Sequence, residues 1–257
     1  MPAASPLYPP FVAVHAALAT AAIAVGAAAL ASAKGRRLHR GAGRWYGRAI
    51  AGVVGTGAAL IALGRPSLYL TSLLLLTAYP TWSGMRVLAR KRPDADPAQR
   101  ALPADWAAAL GTLAGALAVA AANAAGLGGR QAGPIWGFTG FVAVMAAYDV
   151  RRFARPAAWP MRPGLWLREH IGKLTGAYFG ALSAFTGNVL TAVPDPWRVL
   201  VPNLVGAAVM TYFLVQLRRR RGAPPGPAGG STGARPGRTI EHQVERQVER
   251  PLRQRTA

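Results

Sequence analysis

The stretch "KGRRLHRGAGRWYGR", residues 34–48, gathers six basic residues and one histidine, His39, into one short block. On its N-terminal side lies "PFVAVHAALATAAIAVGAAALAS", residues 10–32, with no charged side chain. On its C-terminal side lies "WYGRAIAGVVGTGAALIALG", residues 45–64, whose only charge is Arg48. Each run matches the roughly 20 apolar residues that cross a hydrocarbon core about 30 Å thick as a helix. The block therefore reads as a basic connection between two membrane spans, the second beginning near residue 45 or several residues earlier.

The same pattern repeats outward. Further apolar runs cover about 67–89, 105–126, 134–150, 169–193 and 197–217. Inside lipid only helices and closed barrels satisfy their backbone. These runs are too long and too continuous for barrel strands, which alternate over about ten residues. The expected fold is an all-α integral membrane bundle of about seven transmembrane helices. Pro80 falls inside the third run and removes one backbone hydrogen bond there, which predicts a kink.

Charge in the connections alternates. One set holds Lys34 to Arg48, then Arg86, Arg90, Lys91, Arg92 and Arg100, then Arg151, Arg152, Arg155, Arg162 and Arg168, then Arg218 to Arg221. The opposite set holds only Arg65, Arg130 and Arg198. The positive-inside rule then places the N-terminus outside and the C-terminus inside, in agreement with an odd number of spans.

Composition supports this class. The 257 residues are 52% hydrophobic yet carry a formal charge of +21. A soluble domain spreads its charge, whereas here arginines punctuate apolar runs, which argues against a nucleic-acid surface. The absence of cysteine excludes disulfides and thiolate chemistry. The opening "MPAASPLYPP" lacks a basic n-region, so the first run is expected to be a retained helix. The chain divides into a short segment 1–9, a transmembrane domain 10–217, and a basic, Pro/Gly-rich tail 218–257. That tail is expected to be disordered and to hold His242 in solvent. Small residues four apart, Gly111 and Gly115 or Gly176 and Gly180, suit close helix packing.

Polar residues inside spans mark candidate sites. Topology sorts them into two groups. The inner group is His39, Arg40, Arg44, Tyr46, Asp149, Arg152, Arg168 and His170, with Glu169 beside them. The outer group is His15, Asn123, Asn188 and Asn203. His15 is expected to bond an Asn or a hydroxyl on another span. Lys173 is expected to snorkel its ammonium to the inner interface. Asp149 is expected to pair with Arg151 and Arg152 at a helix end, or else to orient an Arg or His39 in a buried pocket. A zinc site of His15, His39 and His170 is ruled out, because about one membrane core separates His15 from the other two. No Walker loop, GxSxG elbow or HExxH is present.

His39, Arg40, Gly43, Arg44 and Tyr46 form a His-Arg-x-x-Gly-Arg-x-Tyr motif, followed downstream by "YDVRRF" and "WLREHIGKLTGAYFGALSAFTGN". This order resembles a family of bacterial multipass membrane proteins catalogued as a domain of unknown function, over about residues 10–217. The resemblance implies an all-helical protein of the bacterial cytoplasmic membrane and no particular reaction or cofactor. Read from the residues, the inner arginines suit an anionic lipid headgroup or a small anion, since guanidinium forks match phosphate geometry. The alternative is a single haem b with His39 and His170 as axial ligands. A transporter is a further alternative, although no repeat relates two halves of the chain.

Overall fold

The computed structural model describes residues 7–64, 66–156, 164–194 and 197–222. Arg65, Arg162 and the tail from residue 223, with His242, lie outside the described residues. Among the described residues there are seven α-helices and no strand. They are α1 (Tyr8–Ala31), α2 (Arg37–Leu63), α3 (Leu68–Arg86), α4 (Pro103–Ala122), α5 (Ala132–Ala154), α6 (Leu165–Val189) and α7 (Trp197–Gly222). The described residues up to Gln216 form one compact unit, which holds the helices up to the body of α7, and Leu217–Gly222 belong to another.

Local chemistry sets the helix ends. Pro9 and Pro10 open α1, where the missing N–H costs nothing. The Ser67 hydroxyl accepts from Leu70 N at 3.3 Å and starts α3. The Asp105 carboxylate accepts from Leu102 N at 3.0 Å and closes the first turn of α4. Gly164, at φ 74°, supplies the left-handed turn before α6. A π-turn over Asn123–Leu127 ends α4, with Gly126 at φ 85°.

The basic block differs from the connection expected of it. The connection is only residues 32–36, and α2 already starts at Arg37. The helical period then splits the motif. His39, Tyr46 and Ile50 fall on one face, half-buried or buried, while Arg40, Arg44 and Arg48 recur every four residues on an exposed face.

The four segments α1, α2, Pro97–Leu127 and α7 are long and apolar enough to cross a membrane. Helices α3, α5 and α6 are 19, 23 and 25 residues long and carry buried polar side chains. Helix α3 is central, packing against α2, α4, α5 and α6. The polarity of all three is an interior feature, as the site makes plain.

Two apolar clusters flank it. Tyr46, Tyr178, Phe179, Ala22 and Ile50 form one, and Tyr79, Ala109, Ala116, Val142 and Ala146 the other. Close backbone approach occurs at glycines other than those singled out by spacing. A Cβ on Gly26 would stand 2.5 Å from the Tyr178 ring, and one on Gly206 2.6 Å from Phe179. At Gly115, Gly176 and Gly180 the nearest atoms would lie at ordinary contact distances of 3.5–3.9 Å.

Candidate functional site

Helices α5 and α6 run antiparallel and are joined by two crossed ion pairs. Lys173 Nζ meets Asp149 Oδ1 at 2.6 Å, and one turn away Arg152 pairs with Glu169. On α5 the acid precedes the base by three residues; on α6 the acid precedes the base by four. That spacing keeps each pair on one helical face. All four side chains are interior, with Asp149, Lys173, Arg152 and Glu169 only 1%, 5%, 7% and 8% exposed. Burial of such charges is tolerable only because each has an opposite charge and hydrogen bonds.

Helix α3 completes the first pair. Tyr79 and Ser83, four residues apart, both donate to Asp149 Oδ2, at 2.7 and 2.5 Å. Lys173 Nζ donates to both carboxylate oxygens and to Ser83 Oγ at 2.6 Å. The ammonium thereby uses all three protons. Around the second pair, Tyr148 Oη donates to Glu169 Oε1 at 2.6 Å, while Glu169 Oε2 is buried with no hydrogen-bond partner. A third acid, Asp105 of α4, accepts from Arg86 through both oxygens, at 2.9 and 3.0 Å.

Arg90 lies just past α3, buried against the Phe153 ring at 4.4 Å. Its Nη1 is 3.9 Å from Asp105 Oδ1, beyond hydrogen-bond range, and has no hydrogen-bond partner. Burial weakens the hold of this guanidinium on its proton, while Asp105 and Asp149 strengthen it. Arg90, Arg100, Arg152 and Asp149, with Val87 and Phe153, line a cavity of about 20 Å³. Such a volume holds about one water-sized group.

The histidines follow one rule. His39 Nδ1 lies 3.0 Å from Ala29 O, in the last turn of α1, and His170 Nδ1 lies 2.9 Å from Gly84 O, in the last turn of α3. Carbonyls at helix C-termini lack intrahelical partners. They only accept, so Nδ1 carries a proton in both rings.

The expected inner residues thus separate. Asp149, Arg152 and Glu169 come together in the α5–α6 core, with His170 at its edge. Arg40 and Arg44 stand on the exposed face of α2, and Arg168 is half-buried. Tyr46 packs with its ring centroid 6.1 Å from that of Tyr178, and its hydroxyl faces Thr81 of α3. One expectation is corrected: Lys173 does not snorkel outward but points into the core. Asp149 bonds Lys173, Tyr79 and Ser83, partners the sequence did not point to. A charge count carried the missing signal: Asp149 and Glu169 are the only acids in α5 and α6, and a lone lysine in an apolar helix needs one of them.

The outer residues make separate contacts. His15 Nδ1 bonds Thr56 Oγ1 at 2.9 Å, the hydroxyl partner expected. Asn123 donates to Ala132 O, and Asn188 and Asn203 donate to carbonyls four residues earlier on their own helices. No hydrogen bond among the described residues links these four into a cluster.

No protein-family model, no curated protein and no solved structure matches this chain.

Proposed function

We propose that this chain is a seven-span protein of the bacterial cytoplasmic membrane, N-terminus outside and C-terminus inside, akin to the multipass family its motif resembles. Its inner face binds a phosphate-bearing anion, either a lipid headgroup or free phosphate, at Arg90, Arg100 and Arg152. The observation that carries the reading is Arg90: a buried guanidinium with an unpartnered Nη1, lining a cavity that two further arginines share. A buried charged donor without a hydrogen bond is costly, and an anion oxygen at the cavity mouth would relieve it. The Asp149 carboxylate at the same wall is compensated by Lys173. The seven-span reading rests on α3, α5 and α6 being long enough to cross and being polar where their side chains face one another.

Thermal unfolding in nanodiscs tests the anion. Anionic phosphatidylglycerol should raise the midpoint relative to phosphatidylcholine, and Arg90→Gln should abolish the difference. If inorganic phosphate alone gives the same rise, free phosphate is the ligand. Equal midpoints in all lipids and in phosphate would overturn the reading. Reporter fusions at residues 128 and 221 should fall on opposite sides of the membrane.

A further inference from the structure

The charges in and around the α5–α6 core do not sum to zero. Among the described residues, Arg86, Arg90, Arg152 and Lys173 face Asp105, Asp149 and Glu169, one more cation than carboxylates. Lys173 is matched to Asp149 and Arg152 to Glu169, while Arg86 holds Asp105 through both oxygens. Arg90 is left to share Asp105 at 3.9 Å, and it is only 5% exposed. An excess charge inside a bundle is relieved when an anion enters or when a proton leaves. Guanidinium groups keep their protons, so of these four cations only Lys173 can release one. The structure holds a route for it. Lys173 Nζ donates to Asp149 Oδ1 and Oδ2 at 2.6 and 2.7 Å. Asp149 in turn lines the same cavity as Arg90 and Arg100. That lining runs from a carboxylate 1% exposed to an arginine at the surface.

We propose, on the reading of Arg90 as an anion site, that Lys173 is a proton-exchanging group that regulates that site, so that binding one anion takes up one proton. Without an anion, one Nζ–H bond of Lys173 breaks and the proton passes to Asp149. The carboxyl hands it to a water of the size the cavity admits, and solvent receives it. A neutral amine and a free carboxylate remain. That carboxylate faces Arg90 across a cavity about one water wide and offsets the excess charge. With an anion at the cavity mouth, the anion offsets Arg90, and Lys173 regains its proton to balance Asp149. A neutral Lys173 leaves Asp149 to repel the anion, so the two remedies exclude each other. The other titratable groups around the pair do not substitute for Lys173. Tyr79 of α3 donates to Asp149, Tyr148 of α5 donates to Glu169, and His170 of α6 bonds Gly84 O. Protonating Asp105 of α4, Glu169 of α6 or His170 would enlarge the excess of positive charge.

Calorimetric titration of the full chain in mild detergent tests this, with inorganic phosphate and with short-chain phosphatidylglycerol as the two ligands. Above the second ionisation of phosphate neither ligand titrates. Repeating each titration in buffers of different ionisation heat counts the protons exchanged. The expected result is uptake of up to one proton per anion bound, with affinity falling as pH rises, by at most about tenfold per pH unit. Lys173→Arg keeps the charge but cannot release a proton. It should bind the same ligand with no proton uptake and an affinity that does not vary with pH. Lys173→Met leaves Asp149 permanently facing Arg90 and should weaken binding at every pH, with the unfolding midpoint recorded alongside. An anion bound by the native chain without proton uptake overturns this proposal and leaves the Arg90 site standing. So does proton uptake that persists in Lys173→Arg. No binding of either ligand at any pH overturns both.

Discussion

Two helix pairs in this molecule are held together on opposite terms. The α1–α2 hairpin, joined by residues 32–36, brings together helices that are apolar over most of their length, closed by Gly26 against Tyr46 and Tyr178. The α5–α6 pair meets through two crossed, buried ion pairs and an α3 face of Tyr79 and Ser83. Shape specifies the first contact; charge and hydrogen bonds specify the second. A one-residue slip between α1 and α2 alters packing, while the same slip between α5 and α6 strands charges inside the bundle. Crossed pairs, with acid and base exchanged between the helices, also penalise other registers.

The strongest way to break the comparison is to remove one member of the Asp149–Lys173 pair. Asp149→Ala should cost about 3–5 kcal/mol, because Lys173 is left charged and buried. Lys173→Met combined with Asp149→Leu should recover much of that loss, and reversible unfolding in mixed micelles checks both. Exchanging the second pair, Arg152→Glu with Glu169→Arg, should be far milder than either single change, read as a coupling energy in the same assay. On the shape-specified side, Gly26→Val should destabilise by about 1–3 kcal/mol through overpacking against Tyr178. A charge reversal far from this contact should not rescue it. The smallest effect is expected at His15→Ala, which removes one intramembrane hydrogen bond to Thr56 and should cost about 0.6 kcal/mol.

The helices themselves were legible because their signal is local. Apolar length sets where a span can lie, and Pro103, Ser67 and Gly164 mark boundaries by chemistry each residue carries alone. The start of α2 was less legible, since the six basic residues of the block look like a loop. They remain helical because Arg40, Arg44 and Arg48 share one outward face and leave the other to His39, Tyr46 and Ile50. In the site, Asp149, Arg152 and His170 could be flagged as ionisable residues at helix ends. Tyr79, Ser83 and Arg90 could not, since nothing near them in the chain distinguishes them from ordinary helix residues.

Sequence alone determined that this is an all-helical chain with helices of membrane-spanning length and basic residues concentrated in alternate connections. Those properties depend on composition over about 20 residues. Only the tertiary structure decided which charges face each other, that Lys173 points inward, that each histidine caps another helix, and that Arg40 and Arg44 leave the core. Such pairings depend on the register and rotation of helices far apart in the chain, which no local pattern encodes.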